Sequence, residues 1–384
     1  MVDVSGEHRH AQQRGSGPER YEKVRQIGEG TFGVVYMARD LRHHNRIVAI
    51  KKVRMGKKEE GVSIPAVREI KLLQELHHPN VISMLDVFAS KASNNVNLVF
   101  EFAVTDLEGV INDRALVLLP SHIKCMMRMM LKALEYLHAS WTLHRDLKPG
   151  NVLIGADGQL KITDFGLAKL HADVNQKRLT NMVITRWYRP PELLFGSSNY
   201  GAPVDIWSMG CIFAELILRA PYFPGESDMD QLKRIFAARG CADENVWKNC
   251  YQLPDFVKFQ ATVPPPSDET IFPSLSSSGR DLLSAMLELD PNKRSSARQA
   301  LEHAYFVEEP LPCSAKELLA ALRRGKCISR DLPAHIWTDA DEASTPLETP
   351  APRTDSAPAT AIPSTGPKGM EISNSLGKRK LEFT

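Results

Sequence analysis

The chain has few cysteines for its 384 residues, and none is placed for a crosslink or a metal. Cys125, Cys211, Cys241, Cys250, Cys313 and Cys327 form no C-x-x-C pair and have no neighbouring histidine at ligand spacing. That excludes a disulfide scaffold or a zinc ribbon and predicts reduced thiols in a cytosolic or nuclear protein. A dominant sign of charge is also missing. With 48 Lys and Arg against 46 Asp and Glu, the net charge is +2, so no global field holds nucleic acid and any charge-based recognition must be local. Long apolar runs are lacking too. The opening MVDVSGEHRHAQQRGSGPER has no signal-peptide core, and the most apolar stretch, Ile212 to Leu218, is interrupted by Glu215. A membrane span needs about 20 mostly apolar residues in a row, so the expectation is a soluble intracellular protein with no membrane contact. What is present is ordinary globular composition, 43% hydrophobic and 24% charged, in a chain long enough to build a core without staples.

Residues 1–20 are polar, rich in Gly, His and Gln, and predict a flexible N-terminal extension. From Tyr21 to about Ala103 short β-like runs dominate, among them YEKVRQIG, GVVYMARD, RIVAIKKV and VNLVFEF. One helical pattern, Ala66 to Leu76, interrupts them. After Asp106 the period changes. Ser121 is the expected N-cap of a long helix, SHIKCMMRMMLKALEYLHAS. Further helices are expected at Val204 to Leu218, Asp228 to Ala238, Gly279 to Leu289 and Ser296 to His303. A sheet-rich part followed by a larger helical one predicts an α+β fold of two lobes, 21–103 and 104–307, with a cleft between them. Residues 308–384 hold a short amphipathic piece at Ala315 to Arg323, then Pro333, Pro346, Pro350, Pro352, Pro358, Pro363 and Pro367 amid Ser, Thr and Ala. They predict a largely disordered tail. Its Lys378, Arg379 and Lys380 read either as a weak nuclear-import signal or as a solvated basic end.

GEGTFGVV carries Gly28, Gly30 and Gly33 in G-x-G-x-x-G spacing, a weak signal alone. The residues after it are β-branched and aromatic, so the glycines belong to a hairpin between two strands. Such a hairpin lays backbone amides over a polyphosphate because no Cβ holds it off. VAIK follows, ending at Lys51, and Glu69 in SIPAVRE supplies the counter-charge that orients a lysine over the α- and β-phosphates. Then come HRDLKPGN, His144 to Asn151, and DFG, Asp164 to Gly166. Phosphoryl transfer needs a carboxylate for the incoming hydroxyl, a lysine for the γ-phosphate, and an amide oxygen with a second carboxylate for Mg²⁺. Asp146, Lys148, Asn151 and Asp164 fill those roles in order. Singly each aspartate reads as a turn former; the ordered set does not.

These motifs resemble those of eukaryotic protein kinases over about Tyr21 to Phe306, nearly the whole expected ordered chain. The resemblance implies a bilobal kinase fold and an ATP- and Mg²⁺-dependent serine/threonine kinase. It implies nucleotide contacts from Ile27, Gly28, Glu29, Gly30, Thr31, Phe32, Gly33, Val35, Ala49 and Lys51. Phe100 would be the gatekeeper, the backbone of Glu101 to Ala103 would bind adenine, and Asp106, Asn151, Leu153 and Asp164 would complete the site, with Asn151 and Asp164 on the metal. Glu192 would pair with Arg294, and Asp205 would brace the catalytic loop. Two departures stand out: PPE at Pro190 to Glu192 replaces the usual APE, and Gly150 precedes Asn151 where close relatives commonly have asparagine. Neither removes a group that touches nucleotide, metal or hydroxyl.

SIPAVRE and TRWYRPPELLFG are similar to the cyclin-contacting helix and peptide-binding segment of cyclin-dependent kinases. REIKLLQELHHPN, TDLEGVI, LPSHIK, HASWTLHRDLKPGN and SDMDQLKRIF bring the likeness nearest to the cyclin-dependent-kinase-activating kinases associated with TFIIH, and KKEEGVSIPAVREIKLL to their plant and algal members. This implies a cyclin of the H type, a RING-finger assembly factor and TFIIH as partners, and a mainly nuclear location. It implies two protein substrates, the activation segment of other cyclin-dependent kinases and the Ser-Pro repeats of the RNA polymerase II tail. Alternatives are a cell-cycle or elongation kinase of the same family and a catalytically silent nucleotide- and cyclin-binding scaffold. Thr180 is the expected activating phosphosite, facing Arg68, Arg145 and Lys169, whose mutual repulsion a phosphate of about −2 relieves. Asp173 stands near where animal relatives carry a second phosphosite, and Phe32 in place of tyrosine removes one hydroxyl for inhibitory phosphorylation. Glu69 is expected to need an outside partner to be pushed onto Lys51. Val183 and Ile184 are expected to form a shallow apolar pocket for the residue after the phosphoacceptor.

Overall fold

The computed structural model describes residues 18–30, 33–53, 64–89, 95–171, 179–260 and 264–337. Thr31, Phe32, Asp173 and the basic cluster at Lys378 to Lys380 lie outside the described residues.

Alternating burial organises the first lobe. β1 (Tyr21–Gly30), β2 (Gly33–Asp40) and β3 (Arg46–Val53) form an antiparallel meander, and β4 (Met84–Ala89) and β5 (Val96–Glu101) complete a sheet in the order β1-β2-β3-β5-β4. Val35 pairs with Lys51, and Ala49 with Phe100. Side chains alternate faces along a strand, so Val35, Ala49, Lys51 and Phe100 share one face. Alternation alone does not single out β4, because Asp86 stands inside it. The fold uses that carboxylate, which accepts from the Tyr21 hydroxyl at 2.9 Å and from Arg20 at 3.1 Å. α1 (Ile64–Glu75) precedes β4 and buries Leu72 and Leu73.

β6 (Ala103–Asp106) and α2 (Leu107–Asn112) lead into the helical lobe, whose central element is α3 (Pro120–Ala139). Ser121 is not its cap. The helix starts at Pro120, which lacks an N–H where none is needed, and the Leu119 amide before it donates to His122 Nδ1 at 3.2 Å. Short strands β7 (Thr142–Leu143), β8 (Val152–Gly155), β9 (Leu160–Ile162) and β10 (Lys169–Leu170) form two small sheets, β6-β8-β9 and β10-β7, against α3. The remaining helices are α4 (Pro191–Leu194), α5 (Pro203–Leu218), α6 (Asp228–Arg239), α7 (Asp268–Ile271), α8 (Ser277–Met286), α9 (Ala297–Leu301) and α10 (Ala315–Leu322). Ser227, Ser276, Ser296 and Ser314 cap α6, α8, α9 and α10 with side-chain oxygens that accept first-turn amides. Around α5, Trp207 and Phe213 are fully buried. Arg294 lies over the Trp207 ring and grips Glu192 through bonds of 2.7 and 3.0 Å. Among the described residues no helix is long and apolar enough to cross a membrane.

One boundary moves. Residues 308–337, assigned by composition to a largely disordered tail, are ordered on the helical lobe: Leu318, Leu322, Ile328 and Ile336 are buried. Apolar residues spaced along 318–336 join the core, with α10 against α3, which outweighs the polar, proline-marked composition around them. Residues 338–384 lie outside the described residues.

Candidate active site

The two lobes enclose a cleft of about 770 Å³, in the range of small-molecule sites. From the sheet come Ile27, Gly28 and Glu29 of β1, Gly33 and Val35 of β2, and Ala49 and Lys51 of β3. Phe100, Glu101 and Ala103 form the connection between lobes, and Asp106 stands at the start of α2. The helical lobe contributes Asp146, Lys148, Asn151, Leu153 and Asp164. Gly30 pairs with Gly33 at the hairpin tip. Gly33 is required there: its φ is +144°, and a Cβ would strike the Lys52 carbonyl.

The charged end of the cleft is a three-residue cluster. Lys51 Nζ donates to Glu69 Oε1 and Oε2 at 2.8 and 3.1 Å, and to Asp164 Oδ1 at 3.2 Å. Burial works against the lysine's charge, but the two carboxylates outweigh it and hold its pKa above the ordinary lysine value. Burial pulls the Glu69 carboxyl upward, with Lys51 opposing. The ammonium-carboxylate state is the one the geometry favours, because three N–H···O contacts converge on one cation. Glu69 thus already reaches Lys51 in this structure. α1 packs beside the DFG turn, where fully buried Phe165 meets His144 edge-on at 5.0 Å.

The catalytic loop is held by hydrogen bonds to its backbone. Asp205, fully buried on α5, accepts from the His144 and Arg145 amides at 2.9 Å each and from His138 Nε2 at 3.1 Å. Burial alone would raise the Asp205 pKa, but these donors lower it below the ordinary carboxylate value. His144 accepts from the Asp146 amide through Nδ1, and its Nε2 faces the Thr163 carbonyl at 2.9 Å, which assigns the proton to Nε2. Arg145 and Asp164 have φ of 64° and 65°, sparsely populated values for residues with a Cβ that persist because neighbouring contacts hold them.

Asp146 is saturated with donors. Its Oδ2 accepts from Lys148 at 2.8 Å and Asn151 Nδ2 at 3.0 Å; its Oδ1 accepts from the Thr185 hydroxyl at 2.9 Å and the Thr185 amide at 3.3 Å. Asn151 uses Nδ2 again on the Asp146 carbonyl at 2.8 Å. With its amide nitrogen occupied, Asn151 keeps its oxygen as the acceptor, and beside the Asp164 carboxylate this is a hard oxygen donor set that fits Mg²⁺. The sequence reading missed Thr185, Tyr200 and His138. Tyr200 accepts from Arg145 at 3.0 Å and donates to the Thr180 carbonyl at 2.5 Å. Thr180 is exposed, and among the described residues Arg68, Arg145 and Lys169 have no ion pair with a carboxylate.

Residues 21–306 match the protein kinase domain family. The chain is 50% identical to cyclin-dependent kinase D-1 of Arabidopsis thaliana, over 82% of this chain and 77% of that protein. It is 49% identical to cyclin-dependent kinase 7 of Xenopus laevis, over 77% of this chain and 83% of that protein. A solved chain from the CAK complex of Chaetomium thermophilum, determined with ATP-gamma-S bound, is 42% identical with a TM-score of 0.73, covering 78% of this chain and 94% of that one. The chain belongs to the protein kinases, in their cyclin-dependent kinase branch, and is a serine/threonine protein kinase.

Proposed function

We propose that this kinase works as a cyclin-bound activating kinase of the TFIIH type. It transfers the γ-phosphate of ATP to the activation segment of other cyclin-dependent kinases and to Ser-Pro repeats of the RNA polymerase II tail. Support comes from the relatives' names and from the cleft, where Lys51 is placed for the α- and β-phosphates and Asn151 and Asp164 for Mg²⁺. Bound Mg²⁺ would neutralise charge on the phosphates. Asp146 accepts the hydroxyl proton of the substrate, Lys148 steadies the transferred phosphate, and Thr185 positions Asp146 until the substrate hydroxyl takes its place on Oδ1. A cyclin, in this reading, holds α1 where it already stands. A RING-finger assembly factor and a mainly nuclear location belong to the same proposal.

The observation that carries the substrate reading is Ile184. This β-branched residue has φ of 65°, and its carbonyl is taken by Arg189, which donates to it from Nη2 at 3.0 Å and Nε at 3.2 Å. The Val183 carbonyl also accepts from Arg189 Nε, at 3.0 Å. Both side chains are buried, so the shallow apolar pocket expected of them is replaced by a backbone whose acceptors are spent. A peptide residue with an N–H loses that bond here; proline has none to lose.

The test is phosphate transfer to paired peptides, Ser-Pro and Ser-Ala, by the cyclin-bound chain. An unpaired amide predicts a preference of roughly tenfold for proline; equal rates would refute the substrate reading. The kinase-activating arm is measured on an intact cyclin-dependent kinase, and labelling confined to the polymerase repeats would favour an elongation kinase instead. Thr180→Ala is expected to reduce kcat by about tenfold or more, as a coupling of this kind commonly spans one to two decades. Full activity without a phosphate at Thr180 would remove it as the switch.

A further inference from the structure

A second cavity, of about 280 Å³, lies in the helical lobe and shares no lining residue with the nucleotide cleft. Its walls are apolar. Leu116 follows α2, Ile123 is on α3, Leu216 and Ile217 are near the end of α5, and Leu275 precedes α8. Ile217 is half-buried and the other four are buried. Val117 and Ser274, both exposed, stand at the mouth.

Two polar side chains break this lining. Arg219 leaves α5 with a left-handed φ of 58°, and its guanidinium turns back to the carbonyls in and after α2. Nε donates to Ile111 at 2.9 Å, Nη1 to Leu116 at 2.8 Å, and Nη2 to Val110 at 2.9 Å and Asp113 at 2.6 Å. One N–H, on Nη1, is left without an acceptor among the described residues. All four acceptors are neutral, and the Asp113 carboxylate is spent through Oδ2 on the Lys326 and Cys327 amides. Burial, with the Arg114 charge beside it, lowers the Arg219 pKa from the ordinary arginine value, as befits a cation short of counter-charge. Tyr305 is the second group, 2% exposed. Its ring packs on Phe213, Phe306 and the Lys124 ammonium, yet among the described residues its hydroxyl has no hydrogen-bond partner. A buried phenol usually finds one. Burial and the nearby Glu308 carboxylate push its pKa up, so at neutral pH it is a donor. Glu308 is itself engaged by Lys124 at 3.6 Å and by the Ser276 hydroxyl.

The chamber therefore combines apolar walls with two unspent donors, one of them cationic. An aliphatic side chain inserted from another protein would leave both donors unpaired, which burial makes costly. A carboxylate accepts from both and neutralises the arginine. Size fixes the rest: a dry cavity of about 150 Å³ takes benzene, so one of about 280 Å³ holds roughly twice as many heavy atoms, the size of an acid of about ten carbons. We propose that this cavity binds a small aliphatic carboxylic acid, its chain among Leu116, Ile123, Leu216, Ile217 and Leu275 and its carboxylate accepting from Arg219 Nη1 and the Tyr305 hydroxyl. The site stands independently of the nucleotide and substrate readings above.

The test is calorimetric titration of the full chain, in complex with its cyclin, with sodium decanoate, 1-decanol and sodium butyrate. Wild type, Tyr305→Phe and Ile217→Phe are compared, and melting temperatures are taken with and without decanoate. Decanoate is expected to saturate one site and raise the melting temperature. 1-Decanol, with the same chain and no charge, binds about tenfold more weakly, and butyrate, too short to cover the walls, gives no measurable heat. Tyr305→Phe keeps the ring and removes the hydroxyl; it weakens decanoate about tenfold while the unliganded melting temperature stays near wild type. Ile217→Phe fills the chamber and abolishes decanoate binding, with kcat on a Ser-Pro peptide unchanged. Should that bulkier variant fail to fold, Tyr305→Phe and the decanol comparison still decide. Absence of saturable decanoate binding to wild type overturns the site, and so does binding that Tyr305→Phe leaves unaltered, since the acid then sits elsewhere. Decanol binding as tightly as decanoate overturns the carboxylate assignment.

Discussion

Asp146→Asn is expected to lower kcat by about 10²–10⁴-fold, the range for removing a positioned general base, while KM for ATP stays close to the wild-type value. The carboxylate sits where two lysine and asparagine N–H groups meet one oxygen and the Thr185 hydroxyl and amide meet the other. Four donors leave it little freedom to turn. Asparagine matches the shape and keeps one acceptor oxygen, but it cannot take a proton, and its NH₂ faces either Lys148 and Asn151 or Thr185. The nucleotide groups on Lys51, Glu69 and Asp164 are untouched, so binding survives while transfer fails. Steady-state kinetics with a Ser-Pro peptide reads both constants. A variant that keeps wild-type kcat would remove Asp146 from the proposed chemistry.

The main groups of the site are legible in the sequence because each lies in a short motif whose internal spacing is fixed by local geometry. Lys51 and Glu69 are 18 residues apart, and the strand and helix that carry them are both visible as periodic patterns. Thr185 is different: it reaches Asp146 across 39 residues, part of which is irregular backbone. A threonine hydroxyl has no pattern that reveals which carboxylate it will meet. The same holds for Tyr200, which joins Arg145 to the Thr180 backbone across the folded segment. Ser121 misled because Ser before an apolar run usually caps, yet Pro120 takes the first turn at no cost. The fate of 308–337 was hidden by composition, since a few spaced isoleucines and leucines suffice to dock a segment when a complementary surface and an anchor such as Asp113 are waiting. The closed Lys51–Glu69 pair was also outside the reach of sequence, because motif residues are the same whether α1 stands in or out.

Asp205→Asn is expected to cost roughly 2–5 kcal/mol of stability and to depress kcat as well. Asp205 is fully buried, and its two oxygens serve three donors, two of them backbone amides of the loop that carries Asp146. Asparagine leaves an NH₂ pointing at one of those N–H groups whichever way it is turned, so either the His144 or the Arg145 amide loses its acceptor. The sign of the pH dependence follows from the lowered carboxylate pKa of the folded state. A depressed folded pKa means the unfolded chain binds the proton more readily, so the stabilisation is complete above the unfolded value of about 3.9. It is lost as pH falls through the folded value. The wild-type advantage over Asp205→Asn should therefore be constant from neutral pH down to about pH 5 and shrink in stronger acid. Denaturant unfolding at several pH values measures it. An advantage that grew in acid, or a variant as stable as wild type at pH 7, would show that the buried carboxylate does not hold the catalytic loop.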